Sequence, residues 1–193
     1  MNNLRTLALL ALALNLPTAH AALAVGDDAP ALAAPASLNG KTFAYSLTDA
    51  LKRGPVVVYF YPSAYTAGCN LEAHTFAVQR EKFLAAGATI VGVSLDDVGR
   101  LARFSADPDY CGGKIPVASD ADGRITRAWG LAVRDAAPGR KDMYGEAIEH
   151  GLASRSTFVV TPDGRVAAAF DGLSPVENVE HALAAVQGLT HAH

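Results

Sequence analysis

Residues 56–61 read Val-Val-Val-Tyr-Phe-Tyr, an unbroken run of β-branched and aromatic side chains that is followed by Pro62. A run of this kind is typical of a central strand that is covered on both faces. A second apolar run, residues 89–95, predicts a neighbouring buried strand. Between the two runs, apolar side chains recur at helical spacing from about Gly68 to Ala86, which predicts a connecting helix. This strand–helix–strand order indicates an α/β protein.

The rest of the chain extends this plan on both sides. We expect a hairpin turn at Asn39-Gly40, a helix over 98–105, a short strand over 115–118, a helix from 122 to 129, two strands over 156–161 and 165–170 joined by Pro-Asp-Gly, and a final amphipathic helix over 176–186. Strands and helices alternate in the first part of the chain, and a hairpin follows near its end. This order predicts a mixed parallel and antiparallel sheet with helices on both faces. Residues 134–151 show no clear period, and residues 25–38 read as an extended entry segment.

Composition narrows the classes of function. The chain has 193 residues, 50% hydrophobic and 18% charged, with a formal net charge of −3. Nucleic-acid binding is not expected, because such proteins neutralise phosphates with clustered Lys and Arg, and no basic run occurs here. The two cysteines, Cys69 and Cys111, are too few for a Cys-rich zinc site, so they leave one disulfide or a redox pair.

Residues 1–21 have the pattern of an export signal. Arg5 gives a positive start, residues 7–16 are almost all Leu and Ala, and Ala19-His20-Ala21 fits a cleavage site. Ten residues of helix cover only about 15 Å of a hydrocarbon core that is roughly 30 Å thick, which argues against stable membrane anchoring. We therefore expect an exported domain of residues 22–193, periplasmic if the host is a Gram-negative bacterium.

Export places both cysteines where disulfides persist, so a non-enzymatic exported module with a structural Cys69–Cys111 bridge is one interpretation. The position of Cys69 favours another. Residues 61–72 leave the central strand and enter the first turn of the helix, where backbone N–H groups and the helix dipole favour a negative charge. The thiolate is the nucleophilic form of cysteine, so this position predicts a reactive sulfur.

The sequence around Cys69 resembles a known active-site signature. Pro62-x-x-x-Thr66-x-x-Cys69, followed by Glu72, is similar to the signature of the peroxiredoxins, which have a thioredoxin-like fold. The resemblance implies a three-layer sandwich with a mixed central sheet between helices.

Two later stretches point to one branch of that family. Residues 155–164 (Arg-Ser-Thr-Phe-Val-Val-Thr-Pro-Asp-Gly) and 141–145 (Lys-Asp-Met-Tyr-Gly) resemble the peroxiredoxin Q, or bacterioferritin comigratory protein, branch. The resemblance covers the chain from Val25 onward.

The resemblance assigns roles to five residues. Cys69 is implied to be the peroxidatic cysteine, which attacks the O–O bond and becomes a sulfenic acid. Thr66 is implied to orient the peroxide, and Arg155 to stabilise the thiolate and the leaving oxygen. Pro62 is implied to shape and shield the pocket. Glu72 is implied to fix local hydrogen bonds or hold an arginine; its other interpretation is an ordinary acidic residue of a first helical turn.

The second cysteine departs from the common pattern of the branch. Many members place the resolving cysteine five residues after the peroxidatic one, where this chain has His74. Cys111 fits a minority pattern with the resolving cysteine on a later helix, and it lies beside Pro108 and two glycines in a segment that we expect to open. The implied enzyme needs no cofactor or metal. It reduces hydrogen peroxide and small organic hydroperoxides, is recycled by a thioredoxin-like dithiol protein, and is a monomer or weak dimer.

Other enzymatic interpretations have less support. A thioredoxin-type oxidoreductase needs a C-x-x-C pair, which the chain lacks. A cysteine hydrolase needs a His and an orienting Asn or Asp; His150, His181 and Asn178 are available, but their context does not single them out. We expect His74 to be a packed or exposed residue close to Cys69, and Trp129 to belong to the core.

Overall fold

A computed structural model describes residues 23–190, so the expected export signal at residues 1–21 lies outside the described residues. The elements in chain order are β1 (Ala33–Leu38), β2 (Lys41–Ser46), α1 (Leu47–Leu51), β3 (Val56–Phe60), α2 (Ala67–Ala85), β4 (Thr89–Ser94), α3 (Val98–Ala106), β5 (Val117–Ser119), α4 (Arg124–Ala128), β6 (Val133–Arg134), β7 (Leu152–Ala153), β8 (Ser156–Val160), β9 (Val166–Asp171) and α5 (Pro175–Thr190). Within residues 23–190, no helix combines the length and the hydrophobicity that a bilayer crossing requires.

Seven strands form one mixed sheet in the order β2-β1-β5-β4-β3-β8-β9. The central strands β3, β4 and β5 run parallel, and the two hairpins β1–β2 and β8–β9 extend the sheet on either side with antiparallel pairings. Strands β6 and β7 make a separate two-stranded ribbon. The expectation of a mixed α/β sheet with a late hairpin is confirmed.

Strand β3 lies at the centre of the molecule, and all five of its residues are buried. Alternate residues face opposite sides, as the twofold period of a strand requires. Val57 and Tyr59 join a cluster with side chains of α2, α3 and α5, whereas Val58 and Phe60 join a second cluster with side chains of α1 and α4. Helices therefore cover both faces, which confirms the three-layer sandwich.

The second cluster contains Trp129, which is fully buried. Its ring centroid lies 5.3 Å from that of Phe60 and 5.2 Å from that of Phe158. The expectation that Trp129 belongs to the core is confirmed.

The predicted turns are found where the backbone needs positive φ. Asn39 (φ 50°) and Gly40 (φ 76°) close the β1–β2 hairpin, and Gly87 (φ 77°) follows the end of α2. These are conformations that Gly and Asn adopt most readily.

Two local expectations were incomplete. Residues 33–38, expected to be part of an extended entry segment, form β1. Its buried residues include the small Ala34 and Ala36, so the sequence shows little difference in hydrophobicity between the buried and exposed positions of this strand. The helical spacing of residues 68–86 also predicts that Leu84 shares a buried face with Ala73, Phe76 and Phe83. In the structure Leu84 is 37% exposed, and Ala77 is buried instead.

Candidate active site

The loop between β3 and α2 carries the predicted signature at the carboxyl edge of the parallel strands. Tyr65 has φ 59°, a left-handed conformation that is rare for an aromatic residue. Hydrogen bonds to other segments hold the loop: Ala64 N donates to Asp96 Oδ2 at 2.8 Å, and Met143 N donates to the Tyr65 carbonyl at 3.0 Å. A rare backbone conformation persists only where its surroundings over-determine it, as these contacts do here.

Cys69 lies in the first turn of α2 and is 2% exposed. Arg155 Nη2 donates to its Sγ at 3.4 Å. This arginine directly precedes β8, and the register that pairs Ser156 with Phe60 brings it beside the start of α2. The structure thus brings a permanently cationic donor to the predicted nucleophile although the two residues are far apart in sequence.

Glu72 fixes the guanidinium of Arg155. Its carboxylate is fully buried, forms an ion pair with Arg155 Nη1, and accepts a hydrogen bond from Asn178 Nδ2 at 2.6 Å. Burial raises the pKa of Glu72 to about 7, against the opposing effects of Arg155 and Asn178. Of the two interpretations, the structure favours the one in which Glu72 holds an arginine.

Gly68 leaves space for this close packing. A Cβ at this position would lie 3.2 Å from Arg155 Nη2 and 3.7 Å from the Pro175 ring. A larger residue would push the guanidinium away from the sulfur.

Thr66 is the N-terminal capping residue of α2 and is half-buried. Its Oγ1 donates to the Ser63 carbonyl at 2.8 Å, so the lone pairs of the Thr66 oxygen remain able to accept a hydrogen bond from a ligand. Pro62 follows the end of β3 and is also half-buried. Both residues are therefore partly accessible to solvent, and Cys69 lies in the first turn of the helix that follows them.

A buried charged network behind this loop was missed by the sequence reasoning. The Asp96 carboxylate accepts hydrogen bonds from Ser63 Oγ at 3.0 Å and Arg100 Nε at 2.9 Å, and it lies 2.9 Å from His150 Nε2. Burial would raise the pKa of Asp96, but hydrogen bonds from His150 and Ala64 outweigh it and lower that pKa. The only available signal was that Asp96 follows strand β4 at the same sheet edge as the loop.

Arg100 connects this network to the turn at residues 142–146. Its guanidinium donates to Asp142 Oδ2 and Glu146 Oε2, each at 2.6 Å, and lies 5.2 Å from the ring centroid of Tyr65. Charge pairing therefore ties residues 142–146, within the segment that shows no sequence period, to the network behind the loop.

Cys111 lies in a series of turns over residues 107–115, beyond the end of α3. It is fully buried, and burial raises the pKa of its thiol. Burial also raises the pKa of Tyr59 and Tyr61, which belong to the same apolar cluster as the two cysteines. Both cysteines belong to one apolar cluster and are unbonded in this structure.

His74 is exposed on α2, as expected, and its Nδ1 lies 2.9 Å from the carbonyl oxygen of Asp109. Among residues 23–190, no three His, Cys, Asp or Glu side chains come together in a way that could hold a metal ion.

A cysteine in the first turn of the helix after a central strand, with an arginine donor at its sulfur, places this chain among the cysteine-based peroxidases of thioredoxin-like fold. The sequence profile of the AhpC/TSA family matches residues 25–169. The chain belongs to the AhpC/TSA family.

Relatives agree with this assignment. A putative peroxiredoxin of Mycobacterium tuberculosis is 40% identical over 147 residues, 76% of this chain and 84% of the relative. Peroxiredoxin Bcp of Xanthomonas campestris is 33% identical over 132 residues, 68% of this chain and 76% of the relative.

Solved structures lead to the same family. The crystal structure of peroxidoxin BcpB from Mycobacterium tuberculosis matches with a TM-score of 0.71 and 28% identity, covering 86% of this chain and 97% of that one. The bacterioferritin comigratory protein of Xanthomonas campestris matches with a TM-score of 0.63 and 32% identity, covering 82% and 92%. The chain is thus a peroxiredoxin, a thiol-dependent peroxidase, and the non-enzymatic interpretation is wrong.

Proposed function

We propose that this enzyme reduces hydrogen peroxide and small organic hydroperoxides by a two-cysteine cycle between Cys69 and Cys111. The observation that carries the proposal is the 3.4 Å contact between Arg155 Nη2 and Cys69 Sγ. A fixed cation at this distance stabilises the thiolate before reaction and the charge that develops on the departing oxygen during it. For organic hydroperoxides, support comes from the Xanthomonas campestris relative, whose structure is described in terms of alkyl peroxide reduction.

In the first step the Cys69 thiolate attacks one peroxide oxygen and the O–O bond breaks. The sulfur becomes a sulfenic acid, and the other oxygen leaves as water or an alcohol after taking up a proton. Thr66 Oγ1, whose own hydrogen is committed to Ser63, accepts the hydrogen bond of the bound peroxide and orients it. Pro62 shields the site from water.

In the second step the Cys111 thiol attacks the sulfenic sulfur, which forms the disulfide and releases water. Support for Cys111 comes from its place in the same apolar cluster as Cys69. Cys111 is fully buried and unbonded, and in the proposed cycle residues 107–115 open so that the two sulfurs bond. A thioredoxin-like dithiol protein then reduces the disulfide and is itself oxidised.

Mass spectrometry of reduced protein after one equivalent of hydrogen peroxide tests this cycle. We expect the wild type to lose two hydrogens and to yield a peptide pair that joins residues 69 and 111. Cys111→Ser should instead gain one oxygen on Cys69 and stall after one turnover with a dithiol protein as donor. Steady-state turnover of Cys111→Ser at the wild-type rate would exclude Cys111 from the cycle.

We also propose that the enzyme works outside the cytoplasm as a monomer or weak dimer. The support for export is the pattern of residues 1–21 in the sequence. Expression of the full chain in a Gram-negative host should give a periplasmic product whose N-terminus is Ala22. An uncleaved product in the cytoplasmic fraction would contradict this assignment. Size-exclusion chromatography with light scattering measures the oligomeric state directly. A stable higher oligomer would contradict the proposed monomer or weak dimer.

A further inference from the structure

One contact joins helix α2 directly to the turns that carry Cys111. His74 Nδ1 lies 2.9 Å from the carbonyl oxygen of Asp109, two residues before Cys111. A carbonyl oxygen only accepts, so the ring donates from Nδ1. The residue five positions after Cys69 therefore tethers the segment of the other cysteine to the helix of the first.

A second contact joins the immediate neighbours of the two cysteines. Met143 Sδ accepts hydrogen bonds from Asn70 Nδ2 at 2.9 Å and from the Tyr110 hydroxyl at 3.1 Å. Asn70 follows Cys69 in α2, and Tyr110 precedes Cys111. One sulfur atom that takes no part in the reaction thus bridges the two segments that carry the reacting sulfurs.

Met143 is 59% exposed, yet its backbone is firmly held. Its N–H donates to the Tyr65 carbonyl at 3.0 Å, and the preceding Asp142 is bound by Arg100 at 2.6 Å. The next residue, Tyr144, places its hydroxyl 3.1 Å from that of Tyr110. Met143, which bridges the two segments, is therefore held by the same charged network that supports the loop before Cys69.

We propose that His74 and Met143 form a clasp that keeps residues 107–115 against α2 and sets the rate at which Cys111 reaches the sulfenic acid of Cys69. The proposal rests on the proposed role of Cys111. Disulfide formation requires the Cα atoms to come within about 7 Å in a defined geometry. In the proposed cycle the unbonded Cys111 reaches that geometry by a movement of its segment. Such movement breaks the contacts of Asp109 and Tyr110 with the clasp.

The clasp thereby decides how long the sulfenic acid persists. While the clasp is closed, a second peroxide can oxidise Cys69 to the sulfinic acid, which the dithiol reductant does not reverse. The clasp therefore sets the division of Cys69 between the disulfide and the sulfinic acid. His74 and Met143 act as positioning residues, since neither touches the peroxide or the reacting sulfur in this account.

The test separates the two chemical steps by rapid quenching of the reduced full chain with hydrogen peroxide and mass detection. The variants are His74→Ala, Met143→Leu, which keeps the apolar volume but removes the sulfur acceptor, and the double variant. Val78→Ala is the matched control, because Val78 lies one turn beyond His74 on α2 and is 63% exposed. His74→Gln retains an N–H donor and should largely restore the wild-type rate.

We expect the gain of one oxygen to proceed within about twofold of the wild-type rate in every variant. The subsequent loss of water should be about three- to tenfold faster for each single variant, the range that one lost hydrogen bond implies, and faster again in the double variant. The yield of sulfinic acid at excess peroxide should fall in the same order, and Val78→Ala should match the wild type in both steps.

A second step in the double variant that is unchanged or slower, while the wild type forms the disulfide, overturns the clasp and leaves the proposed cycle intact. A wild type that forms no Cys69–Cys111 disulfide overturns the proposed cycle, and the clasp with it.

Discussion

The two cysteines share one apolar cluster but have opposite electrostatic surroundings. Cys69 lies in the first turn of a long helix with a guanidinium 3.4 Å from its sulfur. Cys111 lies in irregular turns, is fully buried, and has its pKa raised by that burial. A sulfur held beside a fixed cation suits attack on a peroxide, whereas burial keeps the thiol of Cys111 protonated and enclosed. One part of the cluster therefore presents a thiol to a cation, and the other part encloses a thiol away from any charged donor among the described contacts.

Replacing the activated sulfur gives the largest expected effect. Cys69→Ser should reduce the second-order rate of peroxide consumption by more than about 10³-fold, because a serine hydroxyl is not ionised at neutral pH and cannot form a sulfenic acid. Stopped-flow mixing of reduced protein with hydrogen peroxide measures this rate. If Cys69→Ser kept the wild-type rate, the assignment of the two roles would have to be reversed or abandoned.

Removing the cation weakens the contrast between the two environments. Arg155→Met should slow sulfenic acid formation by about 10²- to 10³-fold, the usual effect of losing one donor aimed at developing charge. Arg155→Lys keeps the charge but loses the planar fork, so its rate should fall between those of Arg155→Met and the wild type. Equal rates for Arg155→Lys and Arg155→Met would show that the geometry of the donor matters and its charge does not.

Neutralising the carboxylate that holds Arg155 should slow sulfenic acid formation by a smaller factor, and that factor should depend on pH. Glu72→Gln should slow sulfenic acid formation by about tenfold at pH 8, because a buried ion pair is replaced by a neutral hydrogen bond. With a pKa of about 7, Glu72 is ionised above pH 7 and becomes neutral below it. The ratio of wild-type to Glu72→Gln rates should therefore fall towards one as the pH drops from 8 to 6. A ratio that is constant over this range would contradict the role of the charged form.

The smallest expected effect is on stability, in the network behind the Cys69 loop. Burial would lower the pKa of His150, but the hydrogen bond and the charge of Asp96 outweigh it and raise that pKa above its usual value. The stabilisation by charged His150 is complete below about pH 6.5 and is lost as the pH rises through the higher pKa of the folded state.

His150→Gln, which keeps a donor but cannot become charged, tests this effect. Its melting temperature should be about 2–4 °C below that of the wild type at pH 6, and the gap should shrink by pH 9. Thermal unfolding followed by circular dichroism at the two pH values gives the comparison. A gap that widens with pH would have the wrong sign for this interaction.

Much of the fold was predictable because its signals are local. The apolar run of β3, the Asn39-Gly40 turn and the position of Cys69 at the start of α2 all follow from adjacent residues. The proximity of Arg155 to Cys69 came only from the resemblance to a family, since it depends on how β3 and β8 pair.

The charged network was not predictable for a physical reason. Asp96 gathers donors from residues 63, 64, 94, 100 and 150, which no periodic pattern links. The same holds for the sulfur of Met143, whose two partners come from separate segments. Such contacts exist only once the sheet is assembled, so a single sequence does not display them.

The pairing of β8 with β3 has a consequence for how the chain tolerates insertions. Side chains alternate along a strand, so one extra residue within residues 156–160 would turn the guanidinium of Arg155 to the other side of the sheet. Lengthening the turn at residues 162–164, which lies beyond the far end of β8, leaves that alternation untouched. Insertions are therefore tolerated at the tip of the hairpin, whereas an insertion a few residues earlier, within β8, displaces Arg155.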